Sequence, residues 1–77
     1  MEINVLAFGQ IADLIGSSTY KVSEVITTDD LIKQLSLQFP ELSKIKFAIA
    51  VNKLVISHPV ILHENDAVAL LPPFSGG

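Results

Sequence analysis

The sequence contains no cysteine, no arginine and no tryptophan. Without cysteine there is no disulfide framework, no thiol nucleophile and no soft-metal thiolate site. Without arginine there is no guanidinium fork for phosphates or base edges, which argues against nucleic acid as a partner. Cations are also few: five lysines against eight acidic residues, a net charge of -3. No apolar run approaches membrane-spanning length, and Met1-Glu2 is not the basic start of a secretory signal. A cytoplasmic protein with no membrane partner is the expectation.

What the chain does have is apolar material, 49% of only 77 residues. One domain of this size hides about 60% of the surface its unfolded chain exposes. Either part of the apolar surplus lies outside as a patch for a partner, or it fills the core and leaves only scattered exposed side chains, and composition does not choose between them.

Periodicity divides the chain into short elements. Glu2 to Phe8 reads as a strand with Ile3, Val5 and Ala7 on one face and Leu6 and Phe8 on the other. Apolar residues on both faces predict a central strand covered on both sides. Gln10 to Ile15 reads as a short helix closed by Gly16, and Ser18 to Val22 as a more exposed strand. The main helix starts at Thr27-Thr28, with Asp29 and Asp30 against its positive end and a stripe of Leu31, Ile32, Leu35 and Phe39. Pro40 stops it, and Leu42 is expected to tuck under the same core. Phe47, Ile49 and Val51 then alternate with Ala48 and Ala50, a strand whose alanine face predicts closely approaching neighbours. Asn52-Lys53 predicts a tight turn into Leu54 to Ile56, and Ala67 to Leu71 a last strand before Pro72-Pro73. The order predicts an α+β fold: a mixed sheet of four to five strands, one main helix across it and a short early helix. That is a β-grasp arrangement with the first and last strands as central neighbours. Residues 1–71 form the body and 72–77 a tail.

Candidate chemistry inside the body is sparse. His58, His63, Glu64 and Asp66 match no zinc-ligand spacing and read as turn residues. Ser17, Ser18 and Asp13 have no histidine near them in sequence to complete a triad. Gly9 and Gly16 lack the spacing and the lysine of a phosphate-binding loop. Asp29-Asp30 is explained by its place at a helix start. The expectation is no catalytic site, no metal and no bound cofactor.

The tail Pro72-Pro73-Phe74-Ser75-Gly76-Gly77 is different. Two prolines stiffen its exit, and two glycines leave the last carboxyl without neighbouring side chains, fit for a narrow channel. Its extended reach is on the order of 20 Å, enough to enter another protein's site. Adenylation of the Gly77 carboxyl by ATP would create an electrophile. Sulfide would convert it to a thiocarboxylate, and a lysine amine to an isopeptide.

Several segments together resemble the molybdopterin synthase small-subunit family of ubiquitin-like sulfur carriers. They are Ala7-Phe8-Gly9-Gln10, Asp13-Leu14-Ile15-Gly16, Ala50-Val51-Asn52, Glu64-Asn65-Asp66-Ala67-Val68 and, above all, Leu71-Pro72-Pro73-Phe74-Ser75-Gly76-Gly77. The resemblance spans the whole chain and implies the β-grasp fold. It implies an activating adenylyltransferase related to ubiquitin-activating enzymes, which uses ATP on Gly77, and a sulfur donor enzyme. It further implies a heterotetramer with the large synthase subunit, where the tail delivers sulfur to cyclic pyranopterin monophosphate. By alignment it places Phe8, Val55 and Leu71 at the apolar partner contact. Where the family often has Arg-Glu-Leu, this chain has Ala12-Asp13-Leu14. The alternatives are a carrier for thiamine thiazole synthesis, one for tRNA thiolation or protein conjugation, and a plain interaction module. The thiamine-pathway carriers usually lack the early helix and the Pro-Pro.

Overall fold

The computed structural model describes residues 1–73, and the expectations for Phe74, Ser75, Gly76 and Gly77 fall outside them. Alternation in β1 (Glu2–Ala7) buries Ile3, Val5 and Ala7 on one face. The chain then turns into α1 (Gly9–Ile15), which Gly16 ends in a left-handed conformation, its amide donating to the Ala12 carbonyl at 2.8 Å. β2 (Thr19–Ser23) returns antiparallel along β1, with Val5 opposite Tyr20 and Leu6 opposite Thr19.

α2 (Thr28–Gln38) begins with a capping box. Thr27 Oγ1 accepts from the Asp30 amide, and the Asp30 carboxylate accepts from the Thr27 amide, both at 3.2 Å. These bonds satisfy amides that a helix start otherwise leaves orphaned. The helix buries Leu31 and Leu35 against the sheet and ends where Pro40 opens a 3-10 turn (Pro40–Lys44) that seats Leu42 in the core. Its last turn is tied to β2: Gln38 Nε2 donates to Tyr20 Oη at 2.9 Å, and Phe39 meets the Tyr20 ring edge-to-face at 5.7 Å.

β3 (Ala48–Val51), β4 (Leu54–Ile56) and β5 (Ala67–Leu71) complete a five-stranded sheet in the order β2-β1-β5-β3-β4. β1 and β5 run parallel at its centre, and every other pairing is antiparallel. One helix across a mixed sheet with its first and last strands adjacent is the β-grasp fold. β5 ends at Leu71, where Pro72 can donate no ladder bond.

Two expectations need correction. β1 is central but covered on one side only, because α1, α2 and the 3-10 turn all contribute to the same core. Leu6 on the other face is half-buried, and Phe8 just beyond is 47% exposed. The alanine face of β3 likewise meets no close-packed layer: Ala50 is shielded by its sheet neighbours and lies outside the main core cluster.

The two leucines of α2 test this layering. Leu35 is fully enclosed, so Leu35→Ala is expected to cost about 2–5 kcal/mol. Leu37 is 83% exposed, so Leu37→Ala should stay within about 0.5 kcal/mol of wild type. Urea denaturation measures both, and equal losses would contradict the assignment of faces.

Candidate functional site

The uncovered face owes its shape to strand register. Residues paired across neighbouring strands share a face, so one row crosses the sheet as Leu6, Ala69, Ala50 and Val55. Large side chains stand at both ends and two alanines in the middle. The result is an open groove of about 490 Å³ with an alanine floor. Phe8 and Leu71 close it towards the end of β5, and Asn52, Lys53 and Ala67 line the opposite end. A second hollow adjoins at Leu71, lined by Lys46, Phe47, Ala48, Pro72 and Pro73. The groove therefore leads to the root of the tail.

Phe8, Val55 and Leu71 are thus brought together from three strand ends far apart in sequence. Phe8 is 47% and Val55 63% exposed, and what sets them apart from other exposed apolar side chains such as Leu37 is that they share one apolar groove. Pro72 and Pro73 lie where the groove meets the tail. Gly9 supports that exit: its φ is +56°, and a Cβ there would stand 3.3 Å from Pro72 Cγ. Leu6, Ala50, Ala69, Asn52 and Lys53 were not assigned to the site from sequence. Alternation puts Leu6 on the outer face, but only the β3–β5 pairing puts the two alanines side by side.

The end of the groove near Asn52 is built from polar bonds. Asn52 Oδ1 accepts from the Ala67 amide at 3.0 Å, and the Asn52 amide donates to the Ala67 carbonyl at 2.7 Å. Asn52 Nδ2 donates to Asp66 Oδ1 at 2.9 Å, while Asp66 Oδ2 accepts from the His63 amide at 2.8 Å. Asn52 thereby ties the β3–β4 turn to the start of β5. The Asn52 bond, then the His63 amide, hold the Asp66 carboxyl below its ordinary value, aided by the nearby His63 ring.

Candidate catalytic groups stay apart among the described residues. Among the described residues, no three His, Asp or Glu side chains stand together to hold a metal ion. His63 is committed to its turn with Asp66, whereas His58 lines a separate cleft with Thr28 and Asp29. Ser17 Oγ accepts from the Thr19 amide in a local turn. Among the described residues, no helix is long and apolar enough to cross a membrane.

The described residues thus combine a β-grasp sheet with an exposed apolar groove that leads to Pro72 and Pro73. The model of the ThiS family matches residues 5–77, and the chain belongs to that family. It is 32% identical over 81 residues to the molybdopterin synthase sulfur carrier subunit of Arabidopsis thaliana, covering 100% of this chain and 84% of that protein. SAMP1 of Haloferax volcanii shares the fold, with a TM-score of 0.86, 24% identity and 100% of each chain covered. A solved complex of subunits 1 and 2 of the molybdopterin-converting factor from Helicobacter pylori also matches. Its TM-score is 0.75, with 25% identity and 100% of each chain covered.

The Asn52–Asp66 corner sets a pH dependence. A carboxyl whose folded value is lowered contributes stability that is whole above the ordinary value of 3.8 and is lost as pH falls through the folded value. The urea midpoint should therefore fall with acid below about pH 4. Asp66→Asn should be less stable at pH 7 and show a shallower acid decline; an unchanged acid profile would remove Asp66 from this role.

Proposed function

We propose that this chain is the sulfur carrier subunit of molybdopterin synthase, with Gly77 as its reacting residue. The observation that carries the reading is the apolar groove holding Phe8, Val55 and Leu71 and running to the root of the Pro72–Gly77 tail. Family membership and the likeness to the Arabidopsis carrier support it. The Helicobacter pylori complex supports the large synthase subunit as the partner that covers the groove.

The chemistry follows from the residues available. A carboxylate is a poor electrophile, so the Gly77 carboxylate attacks the α-phosphorus of ATP and pyrophosphate leaves. This step belongs to an adenylyltransferase of the ubiquitin-activating type. Sulfide delivered by a donor enzyme attacks the acyl carbon, the bond to AMP breaks, and a thiocarboxylate is left. With no cysteine to hold a persulfide, the chain end is the place for the sulfur. The groove then docks on the large subunit, in a heterotetramer with two copies of each chain. The tail, comprising Pro72, Pro73, Phe74, Ser75, Gly76 and Gly77, enters that subunit's active site. There the thiocarboxylate sulfur passes to cyclic pyranopterin monophosphate, and Gly77 returns to a carboxylate. Two such transfers build the dithiolene. All of this is cytoplasmic chemistry, and the carrier itself holds no cofactor.

Intact mass measures the first half of the cycle. With ATP, the cognate activating enzyme and a sulfur donor, oxygen-to-sulfur exchange should add about 16 Da. No mass change would overturn the carrier reading. Deleting Gly77 should abolish transfer yet leave fold and large-subunit binding intact. Phe8→Asp or Leu71→Asp should weaken that binding by at least about tenfold, since each sits in the apolar centre of the contact. Unchanged affinity would remove the groove from the interface.

A further inference from the structure

Lys53 stands out against everything around it. It occupies the second position of the two-residue turn joining β3 and β4, with φ at +75°. Glycine is favoured there, because a Cβ crowds the following carbonyl in the left-handed region. Asn52 before it, at φ +49°, is a residue type that tolerates this conformation. Lysine has no such excuse. A strained residue that the local turn does not require points to a role for its side chain.

Its surroundings indicate the role. Lys53 is the one charged residue lining the groove, whose other walls are Leu, Phe, Ala, Val and Asn. Among the described residues no carboxylate lies within salt-bridge distance of its ammonium. The nearest acidic candidate by position, Asp66, is already bonded to Asn52 Nδ2 and the His63 amide, and its side chain is only 13% exposed. The chain as a whole is acidic, at -3, so a lone cation at the rim of the apolar groove is a local reversal of sign.

Resting on the docking reading above, we propose that Lys53 is a specificity contact. Its ammonium pairs with a carboxylate on the large synthase subunit, at the edge of the apolar surface that fills the groove. A rim charge of this kind contributes mainly to encounter rate and to rejection of wrong partners, and its effect is screened by salt. The surface that fits is therefore an apolar ridge flanked by an Asp or Glu on the side that meets the β3–β4 turn.

The test measures binding of the full-length chain to the purified large subunit from the same genome, at about 50 mM and 500 mM salt. Lys53→Gln should weaken binding about 2–5-fold at low salt, and Lys53→Glu about tenfold, mostly through slower association. Both losses should shrink at high salt. Lys33→Glu, on the helix face across the sheet, controls for net charge and should change affinity less than twofold. Lys53→Gly provides a readout that needs no partner: relief of strain should raise Tm by about 3–6 °C while affinity falls as for Lys53→Gln. Wild-type affinity for Lys53→Glu alongside weakened binding by Phe8→Asp would overturn this inference alone. Wild-type affinity for both would overturn the docking reading. Tighter binding by Lys53→Glu, or no rise in Tm for Lys53→Gly, would each overturn the assignment.

Discussion

The parallel pairing of β1 with β5 joins the two ends of the chain at the centre of the sheet, and the remaining architecture hangs on its register. Val5 opposite Val68 and Leu6 opposite Ala69 set which residues of both strands face the helix and which face outwards. Because side chains alternate with period two, a slip of one residue would move Val68 and Leu70 out of the core and Ala69 and Leu71 into it. Burial of Ile3, Val5, Val68 and Leu70 on one face makes that slip costly. The outer row is thereby held in place without any packing layer of its own.

That outer row is what the proposed function rests on in a protein with no metal-binding cluster among its described residues. Alanines at positions 50 and 69, between Leu6 and Val55, give a hollow that a complementary apolar surface can fill with little rearrangement. Pro72 and Pro73 lie at one end of the same hollow, so in the proposed function docking and delivery of the chain end would be coupled by position. The opposite end is stiffened by Asn52, whose side chain bonds both to Asp66 and to the Ala67 backbone. Stiffness matters there because the β3–β4 turn carries Lys53 and leads into β4, which holds Val55, and a loose turn would blur the groove wall. The Gly9–Pro72 approach plays a similar part at the tail end.

Membership of the ThiS family fits this division of labour: a small body supplies recognition, and the proposed reaction belongs to enzymes that receive the tail. The shortage of charge has a matching consequence. With no arginine and few lysines, Lys53 is the one cation lining the groove, and the proposed contact uses it.

Much of this was determined by the sequence alone. Periodicity and punctuation located four strands and both helices to within about two residues and left Leu54 to Ile56 as a short apolar run, since Gly16, Thr27, Pro40 and Pro72 act through local backbone geometry. The start of the main helix at Thr27-Thr28 and the burial of Leu42 were legible for the same reason. The resemblance named Phe8, Val55 and Leu71, and the structure gathers them around one groove, while Phe74 to Gly77 belong to the proposal rather than to the described fold. Only tertiary structure decided which apolar faces stay open. The alternation of Ile49 and Val51 with Ala48 and Ala50 is the same whether the alanine face is packed or bare. Its meaning depends on where all the helices lie, which is one side of the sheet. The pairing of Ala50 with Ala69 and the bond from Asn52 to Asp66 likewise join positions more than ten residues apart, which local pattern does not encode.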